Sequence, residues 1–124
     1  MSEKILVLIE HRSGKVKGIS WEAIGFGQKL ASQLNSDMAV VLLGHEIDTL
    51  VAEVSRRCGQ PVLMASDPNL ADYTPEAHCV ALSRILEEQS PLLLLMGHTY
   101  QAIDFAPRLA TMLGRGSPEN DRDG

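Results

Sequence analysis

Four short apolar runs alternate along the chain with four stretches whose apolar residues recur at helical spacing. The first run, Ile5–Ile9, is continuous and rich in β-branched residues, as a strand buried on both faces requires. A polar loop over Glu10–Gly18 follows. Ser20 is placed to cap a helix running to Leu34, with Glu22 in its first turn. Trp21, Ile24, Leu30, Ala31 and Leu34 fit one apolar face of that helix, which Asn35, Ser36 and Asp37 end. Met38–Leu43 reads as the second strand. After Gly44, the residues Ile47, Leu50, Val51 and Val54 keep helical spacing as far as Arg57, and Gly59 stops the helix. Pro61–Ala65 is a third strand that tolerates proline as its first residue, and Ser66–Tyr73 is a loop of turn-formers. Thr74-Pro75-Glu76 supplies a cap, a proline at the first helical position and an early acid, opening a helix to Gln89. Ser90-Pro91 breaks it, Leu92–Met96 forms the fourth strand, and Ala102–Leu113 forms the fourth helix.

Strand and helix therefore alternate four times. Short, right-handed crossovers turn that order into an α/β, Rossmann-like domain, with a parallel sheet of four strands and helices on both faces. Counting those strands along the chain, the expected order is 3-2-1-4. Ile5, Val7, Val41, Leu42, Leu94 and Leu95 are then expected among the most buried residues. One domain, 1–116, is followed by SPENDRDG, residues 117–124, which hold no apolar residue and read as a disordered polar tail.

Composition narrows the function. Hydrophobic residues make up 44% of the chain and aromatics only 4%, so the core must rest on aliphatic side chains and methionine. A net charge of -5 without a basic cluster excludes a nucleic-acid-binding class. No apolar run approaches the roughly 18 residues of a membrane span. Met1-Ser2-Glu3-Lys4 leads into the first strand without the blocks of a signal peptide. Cys58 and Cys79 fall in no metal or redox motif. Two free thiols in a reducing, cytoplasmic setting are expected.

Candidate chemistry gathers at the ends of the strands, where parallel α/β sheets meet their ligands. The turn Glu10–Gly14 lacks the dinucleotide fingerprint, and no phosphate-loop motif occurs. Gly25 and Gly27, inside the first helix, are expected to allow close packing on the sheet. The turn Gly97–Gln101 precedes a helix N-terminus, a place where backbone N–H groups suit an anion, and Thr99 and Gln101 offer side-chain donors. Gly97, Thr99 and Gln101 are therefore the candidate cofactor contacts. His11, His45 and His98 each follow a strand, and neighbouring strands lie about 5 Å apart. They are candidate zinc ligands, with Glu10 or Glu46 beside them, which leaves a metal-dependent hydrolase as a minor alternative. The simpler alternative is three solvated loop histidines. Neither cysteine has the partner that nucleophilic catalysis requires. Asp67 and Asp72 read as caps or turn-formers.

Four segments, ILVLIEHRSGKVKGISWEAIGFGQKLA, VVLLGHEID, SDPNLADYTPEA and GHTYQAIDFAPRLATMLG, together resemble the N-terminal domain of electron transfer flavoprotein alpha subunits. That resemblance, from about Lys4 to Gly116, implies an adenine-nucleotide-hydrolase-like fold and a scaffold role. In the family this domain packs against a beta subunit, which binds AMP, and supports a separate C-terminal domain that holds most of the FAD site. Electrons come from acyl-CoA or other dehydrogenases and pass towards a membrane quinone reductase. Two departures stand out. Ala102-Ile103 occupies a place where family members commonly have Gly-Arg or Gly-Lys, and SPENDRDG stands where the family continues into another strand and the flavin domain. The resemblance thus implies no FAD site within this chain, with association either with a beta subunit or with a second copy. A stand-alone adenine-nucleotide-binding module of the same fold is the alternative.

Overall fold

A computed structural model of the chain describes residues 4–113. In chain order its elements are β1 (Lys4–Ile9), β2 (His11–Arg12), β3 (Lys15–Val16), α1 (Gly18–Leu34), β4 (Asp37–Gly44), α2 (Asp48–Cys58), β5 (Val62–Ser66), a 3₁₀ turn (Pro68–Leu70), α3 (Pro75–Gln89), β6 (Leu93–Leu95) and α4 (Tyr100–Met112). The main sheet has four parallel strands in the order β5-β4-β1-β6, the expected 3-2-1-4 arrangement. β1 lies inside it, with Val7 level with Val40 on one side and Leu95 on the other.

Alternation along the strands divides the core in two. Leu6, Leu8, Ala39, Val41 and Leu43 face α3 and α4, where Leu82, Leu86, Phe105 and Leu109 meet them. Ile5, Val7, Ile9, Met38, Val40 and Leu42 face α1 and α2, against Ile24, Ala31, Leu50 and Val54. Both faces of β1 and β4 are therefore buried, which is why these strands read as unbroken apolar runs.

Several expectations change. Ile5, Val7, Val41 and Leu42 are fully buried, but Leu94 and Leu95 are only half-buried. β6 is a three-residue edge strand paired on one side alone, shorter than the apolar run that suggested it. Ser20 does not cap α1. The helix starts earlier, at Gly18, from an extended Lys17 that makes no side-chain cap bond. Ser20 is buried instead, its Oγ accepting from the Glu10 N–H at 2.7 Å and donating to the Glu10 carbonyl at 3.4 Å. The supposed loop after β1 holds the β2–β3 hairpin, turned at Ser13 and Gly14, whose φ values of 53° and 75° suit a type I′ connection.

Of the paired glycines, only Gly27 packs tightly. A Cβ there would meet Val7 Cγ2 at 2.8 Å, whereas Gly25 is exposed with nothing within 4 Å. Leu34 is also exposed, so the apolar face of α1 ends at Ala31. Pro61 precedes β5 and takes part through its carbonyl, which accepts from the Val40 N–H at 2.9 Å. The turn-rich segment before α3 contains the short 3₁₀ turn, capped by Asp67 through the Asn69 N–H at 2.8 Å. α4 opens at Tyr100, two residues ahead of expectation. The anticipated polar tail, 117–124, lies outside the described residues. Among the described residues no helix is long and apolar enough to cross a membrane.

Candidate functional site

A cleft of about 820 Å³ opens at the carboxyl ends of the strands. Its walls come from the ends of β1 and β4, the hairpin, the first turn of α2, the 3₁₀ turn, the start of α3, and the β6–α4 turn. The size falls within the usual range for a small-molecule site.

Glu10 ties this region together. It follows β1, its side chain is only 14% exposed, and Lys17 Nζ stands 3.1 Å from its Oε2. That oxygen has no partner of good hydrogen-bond geometry, so Lys17 compensates its charge through proximity rather than alignment. Its other oxygen accepts from the Thr99 hydroxyl at 2.6 Å. Thr99 also caps α4 by accepting from the Ala102 N–H at 3.1 Å. Both functions of this hydroxyl are internal, and Thr99 is absent from the cleft wall. Gly97 and Gln101 do line the cleft. Gly97 is glycine because Ile19 of α1 lies 2.9 Å from where a Cβ would be.

The histidines separate. His11 lines the cleft with Nε2 2.7 Å from the Leu43 carbonyl, an acceptor only, so Nε2 carries the proton. Gly44 makes room for this ring, which approaches its missing Cβ to 3.1 Å. His45 also borders the cleft but leans towards Glu46, with Nε2 3.4 Å from its carboxylate. His98 is exposed and lies outside the wall. Among the described residues, no set of three or more His, Cys, Asp or Glu side chains is placed to hold a metal ion.

His78 is the residue that sequence pattern missed. It lies within α3, with no strand end to mark it, yet it reaches the cleft wall. Its Nδ1 donates to the Thr74 carbonyl at 3.2 Å and its ring meets Tyr73 edge-on at 4.9 Å. Burial lowers its pKa below 6.5, outweighing the Thr74 carbonyl, with His11 adding to the depression and Glu10 opposing it. Tyr73 is pushed upwards from 10.0 by burial first, and then by its 2.7 Å hydrogen bond to Asp104. The cleft thus favours a neutral imidazole at His78 and a protonated phenol at Tyr73.

Charge decides what this cleft suits. Glu10, Glu46, Glu53 and Asp72 line it against one guanidinium, Arg12. That balance, with Thr99 already engaged, does not fit the diphosphate of FAD. Outside the cleft, Cys58 and Cys79 are free thiols, the second fully buried. Burial raises the pKa of Cys79 above 9.0.

The family model described as "Electron transfer flavoprotein domain" matches residues 5–117. The electron transfer flavoprotein subunit alpha of Bacillus subtilis is 29% identical over 94% of this chain and 35% of its own length. Protein FixB of Azorhizobium caulinodans is 34% identical over 88% of this chain and 30% of its own length. The acryloyl-CoA reductase electron transfer subunit beta of Anaerotignum propionicum is 33% identical over 90% and 30%, respectively. The chain spans about a third of the length of the curated relatives it matches. With nearly all of its length matched and a four-stranded parallel sheet to go with that match, the chain belongs to the electron transfer flavoprotein domain family.

Proposed function

We propose that this chain acts as the scaffold and subunit-interaction domain of an electron transfer flavoprotein alpha subunit. It supports flavin-mediated transfer from dehydrogenases without holding FAD by itself. The observation that carries this reading is the extent of the match: about a third of each relative, taken up by almost the whole of this chain. The acidic lining of the cleft agrees with a supporting role. The printed names of the Bacillus subtilis and Anaerotignum propionicum relatives speak of electron transfer, and this chain contributes to the same work as a carrier component rather than a catalyst. The cytoplasm is the compartment that suits its free thiols. Co-expression with the beta subunit from the same organism tests the proposal. The expected result is a complex that survives gel filtration, and separate elution at all concentrations would oppose it.

A second reading is favoured by the size of the cleft and its place at the carboxyl edge of the sheet. On that reading the chain is an adenine-nucleotide-binding module, contacted by Gly97 and Gln101, with Thr99 contributing through its backbone. Titration with AMP and ATP separates the two. Saturable binding weakened by Gln101→Ala would favour the module, and an absence of heat at millimolar nucleotide would favour the scaffold.

A further inference from the structure

Two imidazoles in the cleft are tied down by opposite ring nitrogens. His11 donates from Nε2 to the Leu43 carbonyl at 2.7 Å, and His78 donates from Nδ1 to the Thr74 carbonyl at 3.2 Å. In an uncharged ring the nitrogen left over is an acceptor. His11 Nδ1 and His78 Nε2 therefore each keep a lone pair. Neither has a hydrogen-bond partner among the described residues, and neither is sealed from solvent. Both rings line the cleft, and His11 stands near enough to His78 to bear on its charge.

The carboxylates around them differ in how far they are spoken for. Glu10 is occupied by Thr99 on one oxygen and faces Lys17 with the other. Glu53 has Arg57 at 3.6 Å and Glu46 has His45 at 3.4 Å. Asp72 has no ion-pair partner among the described residues. On the donor side, the Tyr73 hydroxyl is spent on Asp104. Between the polar groups the wall is apolar, with Ile47, Leu50, Leu70 and Phe105. Such a lining asks for a ligand with N–H donors, positive charge and an aliphatic body.

We infer that this cleft binds a small aliphatic polyamine, with one ammonium at the His11 and His78 lone pairs and another at Asp72. The methylene chain between them lies on the apolar wall. An ammonium carries three N–H donors and no acceptor, the complement of two bare imidazole nitrogens. A phosphate would meet the same carboxylates with like charge, which costs affinity. A quaternary ammonium matches the charge but has no N–H to give to the lone pairs. The inference stands apart from the scaffold role, and it puts the polyamine where the second reading has a nucleotide.

Titration of the purified chain with 1,4-diaminobutane at neutral pH and low salt tests it, by calorimetry and by ¹⁵N NMR of the imidazoles. Saturable binding with a Kd below about 1 mM is expected. The His11 and His78 resonances should move, while those of His98, outside the cleft wall, stay in place. Tetramethylammonium should bind at least about tenfold more weakly, for want of a hydrogen bond to each lone pair. His78→Phe should weaken diamine binding by a similar factor. Asp72→Asn, at an exposed position where folding is not at risk, should weaken it about two- to fivefold. No heat at millimolar diamine, or unmoved His11 and His78 resonances, would overturn the inference. Equal binding of tetramethylammonium would do so too, by reducing the effect to bare charge. AMP binding more tightly than the diamine would overturn it and return the cleft to the nucleotide reading.

Discussion

Two glycines in one helix should respond in opposite directions to the same substitution. Replacing a helix-interior glycine with alanine gains about 1 kcal/mol of helix propensity. At Gly25 nothing lies within 4 Å of the new methyl group, so Gly25→Ala should stabilise by about that amount. At Gly27 the methyl would stand 2.8 Å from Val7 Cγ2, with Met38 Cε at 3.4 Å and Leu95 Cδ1 at 3.5 Å. Val7 is fully buried on β1 and paired on both sides. Its χ1 is stiff, being β-branched, so it cannot swing away cheaply. Overpacking of this kind costs about 1–3 kcal/mol. Propensity cancels in the difference between the two variants, so Gly27→Ala should be less stable than Gly25→Ala by about 1–3 kcal/mol. Urea melts followed by far-ultraviolet circular dichroism read this directly, and each kcal/mol corresponds to roughly 2–8 °C in melting temperature. Equal midpoints, or a higher one for Gly27→Ala, would refute the claim that α1 is seated on β1 through Gly27.

Ser20→Ala should cost about 1–3 kcal/mol by leaving the Glu10 N–H without its buried partner; an unchanged urea midpoint would contradict that role. Because burial holds the folded pKa of His78 below 6.5, the unfolded chain takes up the proton first as pH falls. Its contribution to stability is therefore present above pH 6.5 and lost below it, so His78→Gln should flatten the acid limb of a stability profile. An unaltered limb would show that His78 is not the group responsible. Alkylation with iodoacetamide under native conditions should modify the half-buried Cys58 well before the fully buried Cys79, and mass spectrometry showing the reverse order would contradict the burial.

Much of the fold was legible because β1 and β4 are buried on both faces, which leaves unbroken apolar runs in the sequence. The caps at Thr74 and Gly59 and the breaks at Asn35 and Ser90 were equally visible, since each carries a local chemical signal. Ser20 misled because a buried hydroxyl serving a neighbouring backbone has the same local spelling as an N-cap. Leu94 and Leu95 misled because hydrophobicity does not reveal whether a strand is central or at an edge. The hairpin was signalled by Ser13-Gly14, but its strands are only two residues long and carry no alternation. At the cleft, strand ends located His11, His45 and Gly97. His78 and the Glu10–Thr99 bond depend on how α3 and β6 fold back beside β1, and no local spacing records that.

The central claim is that this chain is a family domain that supports a flavin without retaining one. Gel filtration of the purified chain after incubation with excess FAD, with the absorbance spectrum of each fraction recorded, tests it most directly. The account predicts that all flavin elutes with the small molecules and the protein fractions are colourless. A stoichiometric flavin spectrum travelling with the chain would contradict it.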